Sequence, residues 1–160
     1  MKVQPTDKHR LLFVCLGNIC RSPAAEGIMQ HLVDQAGRAE EFIIDSAGLG
    51  GWHIGMYPDP RMTEAARQKG YHLNSRARQI KAYDFDDFDL ILCMDEGNRD
   101  RLMDLAPSIE AQEKIHLLSE FLPEEMQVTE IPDPYYGGWN GFVRVVETIE
   151  KACQGLLDKL

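Results

Sequence analysis

A cysteine and an arginine bracket five residues in Cys15-Leu16-Gly17-Asn18-Ile19-Cys20-Arg21-Ser22, and a serine follows them. The apolar run Leu11-Leu12-Phe13-Val14 precedes this stretch and Pro23-Ala24-Ala25-Glu26 follows it, so it reads as strand, tight loop and helix start. A loop feeding a helix N-terminus turns several backbone N–H groups inward, and the helix dipole adds positive potential. Successive N–H groups in a curled loop form an anion-binding nest. Such a curl calls for positive φ, which Gly17 supplies freely and Asn18 tolerates better than most residues. Arg21 adds a planar, permanently charged fork able to grip two phosphate oxygens at once. Cys15, at the strand end facing the same nest, is expected to have a lowered pKa and to be a thiolate at neutral pH. A thiolate in line with a bound phosphorus is a nucleophile for covalent catalysis. Ser22 is the expected N-cap and Pro23 the expected first helical residue. Ala25 occupies the position where a capping box needs Glu or Gln, which leaves the Ser22 hydroxyl to bond the Cys15 sulfur. The alternative is a buried cysteine ending a strand beside a solvated arginine; the strand–loop–helix setting argues against it.

A phosphate ester attacked by sulfur expels an alkoxide or phenoxide. A carboxylic acid nearby can protonate that leaving group and later deprotonate the attacking water. Asp133 is the best candidate, in Ile131-Pro132-Asp133-Pro134-Tyr135-Tyr136-Gly137-Gly138, where flanking prolines restrict the backbone that carries it. The alternative there is a proline-rich turn with a solvated aspartate. Tyr135 and Tyr136 can line a pocket for an aromatic ring. Trp52, in the glycine-rich stretch 47–58, reads as a further wall of that pocket. For His53, wall and incidental packing remain equal alternatives.

The elements that must position these residues follow in chain order. Strands are expected over Arg10–Cys15, Phe42–Ser46, Leu90–Met94 and Ile115–Leu118. Helices are expected over Pro23–Ala36, closed by Gly37, over a segment begun by Asp59-Pro60 and closed by Gly70, over Glu96–Ala106 with Asp95 as cap, and over Trp139–Leu157. A short helical turn is expected near Ile80–Tyr83. Phe142, Val145, Val146, Ile149, Cys153, Leu156 and Leu157 trace one apolar stripe on the last helix. Strands alternating with helices predict a single α/β domain with a parallel sheet covered on both faces, whose ligands bind at the carboxyl ends of the strands. Residues 1–8 read as loose. Cys93 and Cys153 read as core, His116 as structural, and Arg76 and Arg78 as solvated surface.

Composition narrows the functional classes. The chain has 160 residues and a net charge of −9, from 17 basic and 26 acidic residues. That balance argues against nucleic acid or an anionic membrane as the main partner. No apolar run approaches the roughly 20 residues of a membrane span, and the polar start, Met1 to Arg10, carries no apolar signal region, so a cytoplasmic location is expected. The four cysteines, Cys15, Cys20, Cys93 and Cys153, lack paired metal-ligand spacing, so neither a metal nor another cofactor is expected. Cys20 is either a small buried residue or a thiol that traps an oxidised Cys15 as a reversible disulfide.

The three segments Val14–Pro23, Leu92-Cys93-Met94-Asp95 and Asp133-Pro134-Tyr135-Tyr136-Gly137 together resemble the low-molecular-weight protein tyrosine phosphatases, in order and spacing over residues 9–158. The resemblance implies four parallel strands in the order 2-1-3-4. It implies a phosphocysteine mechanism with Cys15 as nucleophile, Arg21 as the phosphate-binding residue and Asp133 as general acid and base. It implies that Ser22 bonds the thiolate, that Asn18 shapes the loop with support from Ser46, and that Asp95 is structural. Leu16, Trp52, Tyr135 and Tyr136 match positions of the substrate cleft, and Gly17, Ile19 and Cys20 belong to the phosphate loop. The implied substrates are phosphotyrosine proteins and aryl phosphates, with inorganic phosphate as product and inhibitor. The expected state is a monomer, with a weak dimer as the alternative. Ser75 stands where mammalian members place a histidine bonded to the loop asparagine, so the loop's support is open at that point. Three rival readings exist for such a loop. Arsenate reductases of similar fold carry two further, closely spaced cysteines, whereas this chain has only Cys93 in that region. Phosphotransferase-system carriers hold phosphate on a comparable loop cysteine but lack a general acid. Phosphoarginine phosphatases carry threonine where this chain has Ile19.

Overall fold

A computed structural model describes residues 8–160; most of the segment expected to be loose lies outside them. Four parallel strands, β1 (His9–Cys15), β2 (Phe42–Gly48), β3 (Leu90–Cys93) and β4 (Ile115–Leu117), form one sheet in the order β2-β1-β3-β4. The expected order 2-1-3-4 is therefore observed. The helices are α1 (Arg21–Gln35), α2 (Pro60–Arg67), α3 (Asp84–Asp87), α4 (Glu96–Leu105), α5 (Ile109–Gln112) and α6 (Trp139–Lys159).

Strand alternation divides the core in two. Leu11, Phe13 and Leu92 face one side and pack with α1, α2 and α6. Leu12, Val14, Ile91 and Cys93 face the other and pack with Phe85, Phe88, Leu102 and Ala111 from α3, its flank, α4 and α5. Both faces of the sheet are thus covered, which explains why β1 and β3 read as continuous apolar runs. The stripe on α6 is buried at all seven expected positions.

Local chemistry sets most boundaries. Gly37 takes φ +70°, and its N–H and that of Arg38 bond Asp34 and Val33 carbonyls to close α1. Asp59 caps α2 by accepting from the Arg61 N–H, with Pro60 at the first helical position. Asp95 and Asn98 form a capping box at α4.

Three expectations are corrected. Helix α1 begins at Arg21, with Cys20 as its N-cap and no side-chain cap bond, so Ser22 and Pro23 lie inside the first turn. The Ser22 hydroxyl is engaged at Cys15 instead. The helical turn in the middle segment is α3 at Asp84–Asp87, later than expected, because the Asp84 carboxylate accepts from the Lys81 N–H and anchors that turn. Arg78 is not solvated surface: it is partly buried and ion-paired with Asp45 and Asp84.

Gly155 on α6 marks the tightest helix contact. A Cβ there would lie 1.9 Å from the Phe121 carbonyl oxygen. Gly→Ala in a helix gains about 1 kcal/mol of propensity, but a clash with backbone this close costs about 1–3 kcal/mol or more. Gly155→Ala is therefore expected to lower the urea midpoint with the m-value unchanged; a raised midpoint would show that the Phe121 turn moves aside freely.

Candidate active site

The loop between β1 and α1 is held from outside by its carbonyls. The carbonyls of Cys15, Leu16 and Ile19 accept from the N–H groups of Leu49, Gly50 and Asp59, and that of Cys20 accepts from Ala24. Among the described residues the N–H groups of Gly17, Asn18, Ile19 and Cys20 bond no protein acceptor. A loop with its carbonyls turned out and its N–H groups left over is an anion nest at the start of a fifteen-residue helix.

The curl is made at Asn18, which takes φ +58°. Gly17 does not take positive φ, contrary to expectation. Its lack of a side chain serves a close approach: a Cβ there would lie 3.0 Å from His53 Cδ2. The buried Asn18 amide is fully engaged. Nδ2 donates to Ser22 Oγ at 2.8 Å and to Ser46 Oγ at 3.0 Å, and Oδ1 accepts from the Arg78 N–H at 2.9 Å. Ser75 takes no part in these bonds. The bond from residue 78 is a main-chain one, so the site does not need a histidine at position 75. Parallel pairing of Gly48 with Gln79 brings Arg78 to this place.

Cys15 Sγ lies at the base of the nest, 3.0 Å from Ser22 Oγ and 3.4 Å from the Ser22 nitrogen, whose N–H points at it. Arg21 is 2% exposed. Its Nη1 donates to Asp95 Oδ2 at 2.7 Å and to the Ile131 carbonyl at 2.8 Å. Its Nη2 lies 3.6 Å from Asp133 Oδ2. Burial works against its charge, but Cys15, Asp95 and Asp133 outweigh burial and raise its hold on the proton. With Nη1 spent on Asp95 and Ile131, Nε and Nη2 are the donors left over for a further partner. Asp95 thus caps α4 with one oxygen and anchors Arg21 with the other.

Asp133 stands at the mouth of this cavity, its side chain 38% exposed and its Oδ1 accepting from the Tyr135 N–H. The cavity holds about 410 Å³. Cys15, Leu16, Gly17, Ile19, Cys20 and Arg21 form its floor, and Trp52, His53, Asp133, Tyr135 and Tyr136 its wall. Of the catalytic, phosphate-loop and cleft residues expected from the sequence, only Asn18 and Ser22 lie behind this lining, where they brace the loop. His53 belongs to the wall. The two tyrosine rings meet edge-on with centroids 5.0 Å apart, and Tyr136 is 95% exposed. The Cys20 thiol also lines the cavity, and burial, helped by Asp59, Cys15 and Asp133, pushes its pKa up, so it stays protonated. His116 is paired with Glu120 and is absent from the lining.

Two supporting residues escaped the sequence reading. Arg78 reads as solvated surface, and no motif marks Arg61. Arg61 pairs with Asp59, donates to the Tyr135 carbonyl at 3.0 Å, and stacks over the Tyr135 and Phe142 rings. It ties the start of α2 to the segment carrying Asp133. The only sequence signal was its position two residues after a capping aspartate.

Burial pushes the Asp59 carboxyl up, but bonds from the Arg61 side chain and N–H outweigh burial and hold it below the usual range. A depressed carboxylate contributes stability above its unfolded pKa and loses it as pH falls through the folded value. Asp59→Asn is therefore expected to destabilise the protein at neutral pH and to flatten the acid limb of a stability–pH curve. An unchanged acid limb would remove Asp59 from the acid response.

Comparison with known proteins agrees with this geometry. The family described as low molecular weight phosphotyrosine protein phosphatase matches residues 10–160. A Synechocystis sp. relative assigned to the low molecular weight protein-tyrosine-phosphatases is 46% identical over 94% of this chain and 96% of its own. The low molecular weight phosphotyrosine protein phosphatase of Sus scrofa is 39% identical over 94% of each. A crystal structure of a protein tyrosine phosphatase from Entamoeba histolytica, with Hepes in its active site, superposes with a TM-score of 0.91 at 42% identity, covering 95% of this chain and 96% of the other. The chain therefore belongs to the low molecular weight phosphotyrosine protein phosphatase family.

Proposed function

We propose that the protein hydrolyses phosphotyrosine in proteins, and small aryl phosphates, through a phosphocysteine intermediate. The observation that carries this reading is the convergence on one cavity of Cys15 Sγ, the Arg21 guanidinium and the Asp133 carboxyl, beneath an aromatic wall. The nest N–H groups and Arg21 hold the three non-bridging oxygens. Cys15 attacks phosphorus, a sulfur–phosphorus bond forms, and the ester oxygen–phosphorus bond breaks. Asp133 gives its proton to the departing phenolate oxygen. Asp133 then takes a proton from water as that water attacks phosphorus, the sulfur–phosphorus bond breaks, and inorganic phosphate leaves. Nest and guanidinium are rigid dipoles and charge aimed at the transferring group, which stabilises the transition state without reorganisation.

The wall supports the choice of substrate. Trp52, Tyr135 and Tyr136 offer ring faces at the mouth, and buried Ile19 makes that part of the floor apolar. A flat phenyl ring suits such a wall. A thiol relay is poorly supported: Cys93 is buried in β3, donates to the His116 carbonyl, and its thiol is pushed up to about 12 by burial and by Asp95.

Stopped-flow hydrolysis of 4-nitrophenyl phosphate in EDTA tests the reading, with a nitrophenol burst as the expected outcome. Cys15→Ser should abolish turnover and keep phosphate binding. Arg21→Lys should cost about 10²–10³-fold in kcat, because the fork that faces the ligand is lost. Asp133→Asn should cost about 10²–10⁴-fold with poor leaving groups and much less with good ones. Equal slowing across leaving groups would overturn the acid role of Asp133.

Cys20 faces the same cavity as Cys15, and we assign it the protective role: oxidation of Cys15 to the sulfenic acid is followed by disulfide formation with Cys20 and release of water. Peroxide inactivation of the wild type should reverse with a thiol reductant, and recovery of Cys20→Ser should be markedly poorer. Equal recovery would overturn this role.

A further inference from the structure

The segment that bears Asp133 has no helix or strand between Ile131 and Gly138. At Ile131 it is pinned twice: Arg21 donates to its carbonyl, and its N–H donates to the Met94 carbonyl. From Pro132 to Gly137, among the described residues, one hydrogen bond arrives from another part of the chain, from Arg61 Nη2 to the Tyr135 carbonyl at 3.0 Å. The same guanidinium lies over the Tyr135 and Phe142 rings, 5.4 and 4.4 Å from their centroids. Asp59 fixes the guanidinium, accepting from Nε at 3.2 Å and from Nη2 at 3.0 Å. Asp59 is itself held by its main chain, whose N–H donates to the Ile19 carbonyl of the phosphate loop at 2.7 Å. A chain of bonds therefore leaves the phosphate loop at Ile19, runs through Asp59 and Arg61, and reaches the cavity wall at Tyr135. Tyr135 in turn holds the acid. Its N–H donates to Asp133 Oδ1 at 3.0 Å, while Oδ2 is the oxygen turned toward Arg21. An oxygen that already accepts an N–H is the poorer seat for a proton, so the acidic proton sits on Oδ2.

We propose that Arg61 is a positioning residue of the phosphatase reaction. It anchors Tyr135, and through the Tyr135 N–H it holds the Asp133 carboxyl with Oδ2 toward the leaving-group oxygen. The inference rests on the reading of Asp133 as general acid given above. Without the fork the segment is pinned at Ile131 alone. Asp133 and Tyr136 are exposed, so burial does not hold them in its place. Proton transfer needs hydrogen-bond reach, and a carboxyl that wanders from it loses rate. The phosphate grip is spared, because the bond from Asp59 to Ile19 is a main-chain one.

The test is kcat/KM for phenyl phosphate, a poor leaving group, against 4-nitrophenyl phosphate, a good one. Arg61→Met keeps a long apolar stem over Phe142 but has no fork. It should slow phenyl phosphate about tenfold and 4-nitrophenyl phosphate about twofold or less, with the inhibition constant of inorganic phosphate within about twofold. Arg61→Lys keeps the charge but cannot bond Asp59 and the Tyr135 carbonyl as a fork does, and should behave like Arg61→Met. Asp59→Asn combined with Arg61→Met leaves no unpaired carboxylate and should show the same leaving-group dependence. On an Asp133→Asn background, Arg61→Met should cost nothing further. The proposal is overturned if both substrates slow equally, if the phosphate constant weakens in parallel, if Arg61→Lys is as fast as wild type, if the paired variant regains the rate, or if Arg61→Met still slows the Asp133→Asn protein. Equal slowing of both substrates by Asp133→Asn itself would remove the acid role and this inference with it. A leaving-group dependence in Asp133→Asn that is absent from Arg61→Met would overturn this inference alone.

Discussion

A buried guanidinium governs the architecture of the site. Taking an ion out of water costs several kcal/mol unless its partners are well placed. Arg21 meets that cost with partners from two separate parts of the chain: Asp95 at the start of α4, and the Ile131 carbonyl with Asp133 two residues later. Each of these segments is constrained in turn. The Asp95 capping box fixes the start of α4, and the Ile131 N–H bonds the Met94 carbonyl at the end of β3. The arginine that lines the cavity floor is therefore also the bolt that joins the loop after β1 to the segment bearing Asp133. Charge demand and fold demand coincide in one side chain, which is why lysine cannot replace it: a single ammonium has no second edge to spare.

The loop itself stores strain at Asn18, held at positive φ where a non-glycine residue is uncommon. The strain persists because the asparagine amide is over-determined, with bonds to Ser22, Ser46 and the Arg78 main chain. A glycine at 18 would reach the same dihedral with less strain, but it would have no amide and so no way to direct the Ser22 proton to sulfur. The chemistry of the thiol thus depends on the same side chain that shapes the nest. Glu26 and Arg78 terminate that network from opposite ends, one as acceptor and one as donor.

The wall is built by different means. Trp52, Tyr135 and Tyr136 are exposed or half-exposed, and their positions come from tethers more than from burial. Arg61 supplies one such tether, bonding Asp59 and the Tyr135 carbonyl and lying over the Phe142 ring. Gly50 supplies room: a Cβ there would collide with the Trp52 ring. The floor is mostly buried, Leu16 and Gly17 aside, whereas the wall is open to solvent. That division suits a site that must hold one phosphate geometry while accepting varied protein surroundings.

By itself the sequence determined the elements and the loop chemistry, because these depend on local pattern. Apolar runs marked β1 and β3 as covered on both faces. Gly37, Asp59-Pro60 and Asp95 marked helix ends. The spacing of Cys15 and Arg21 between strand and helix marked an anion nest. Sequence also placed Asp133 and the tyrosines in one rigid segment, though their convergence on the loop came only with the resemblance to a family. Tertiary structure alone decided what long-range hydrogen bonds decide. It put positive φ on Asn18 and not on Gly17, whose missing side chain instead leaves room for His53. It moved the helix cap from Ser22 to Cys20 and left Ser22 with the bond to sulfur already expected of it. It drew Arg78, Arg61 and Glu26 to their places, since the bonds that tie them to Asn18, the Tyr135 carbonyl and Ser46 span 60, 74 and 20 residues and no local periodicity records such pairings.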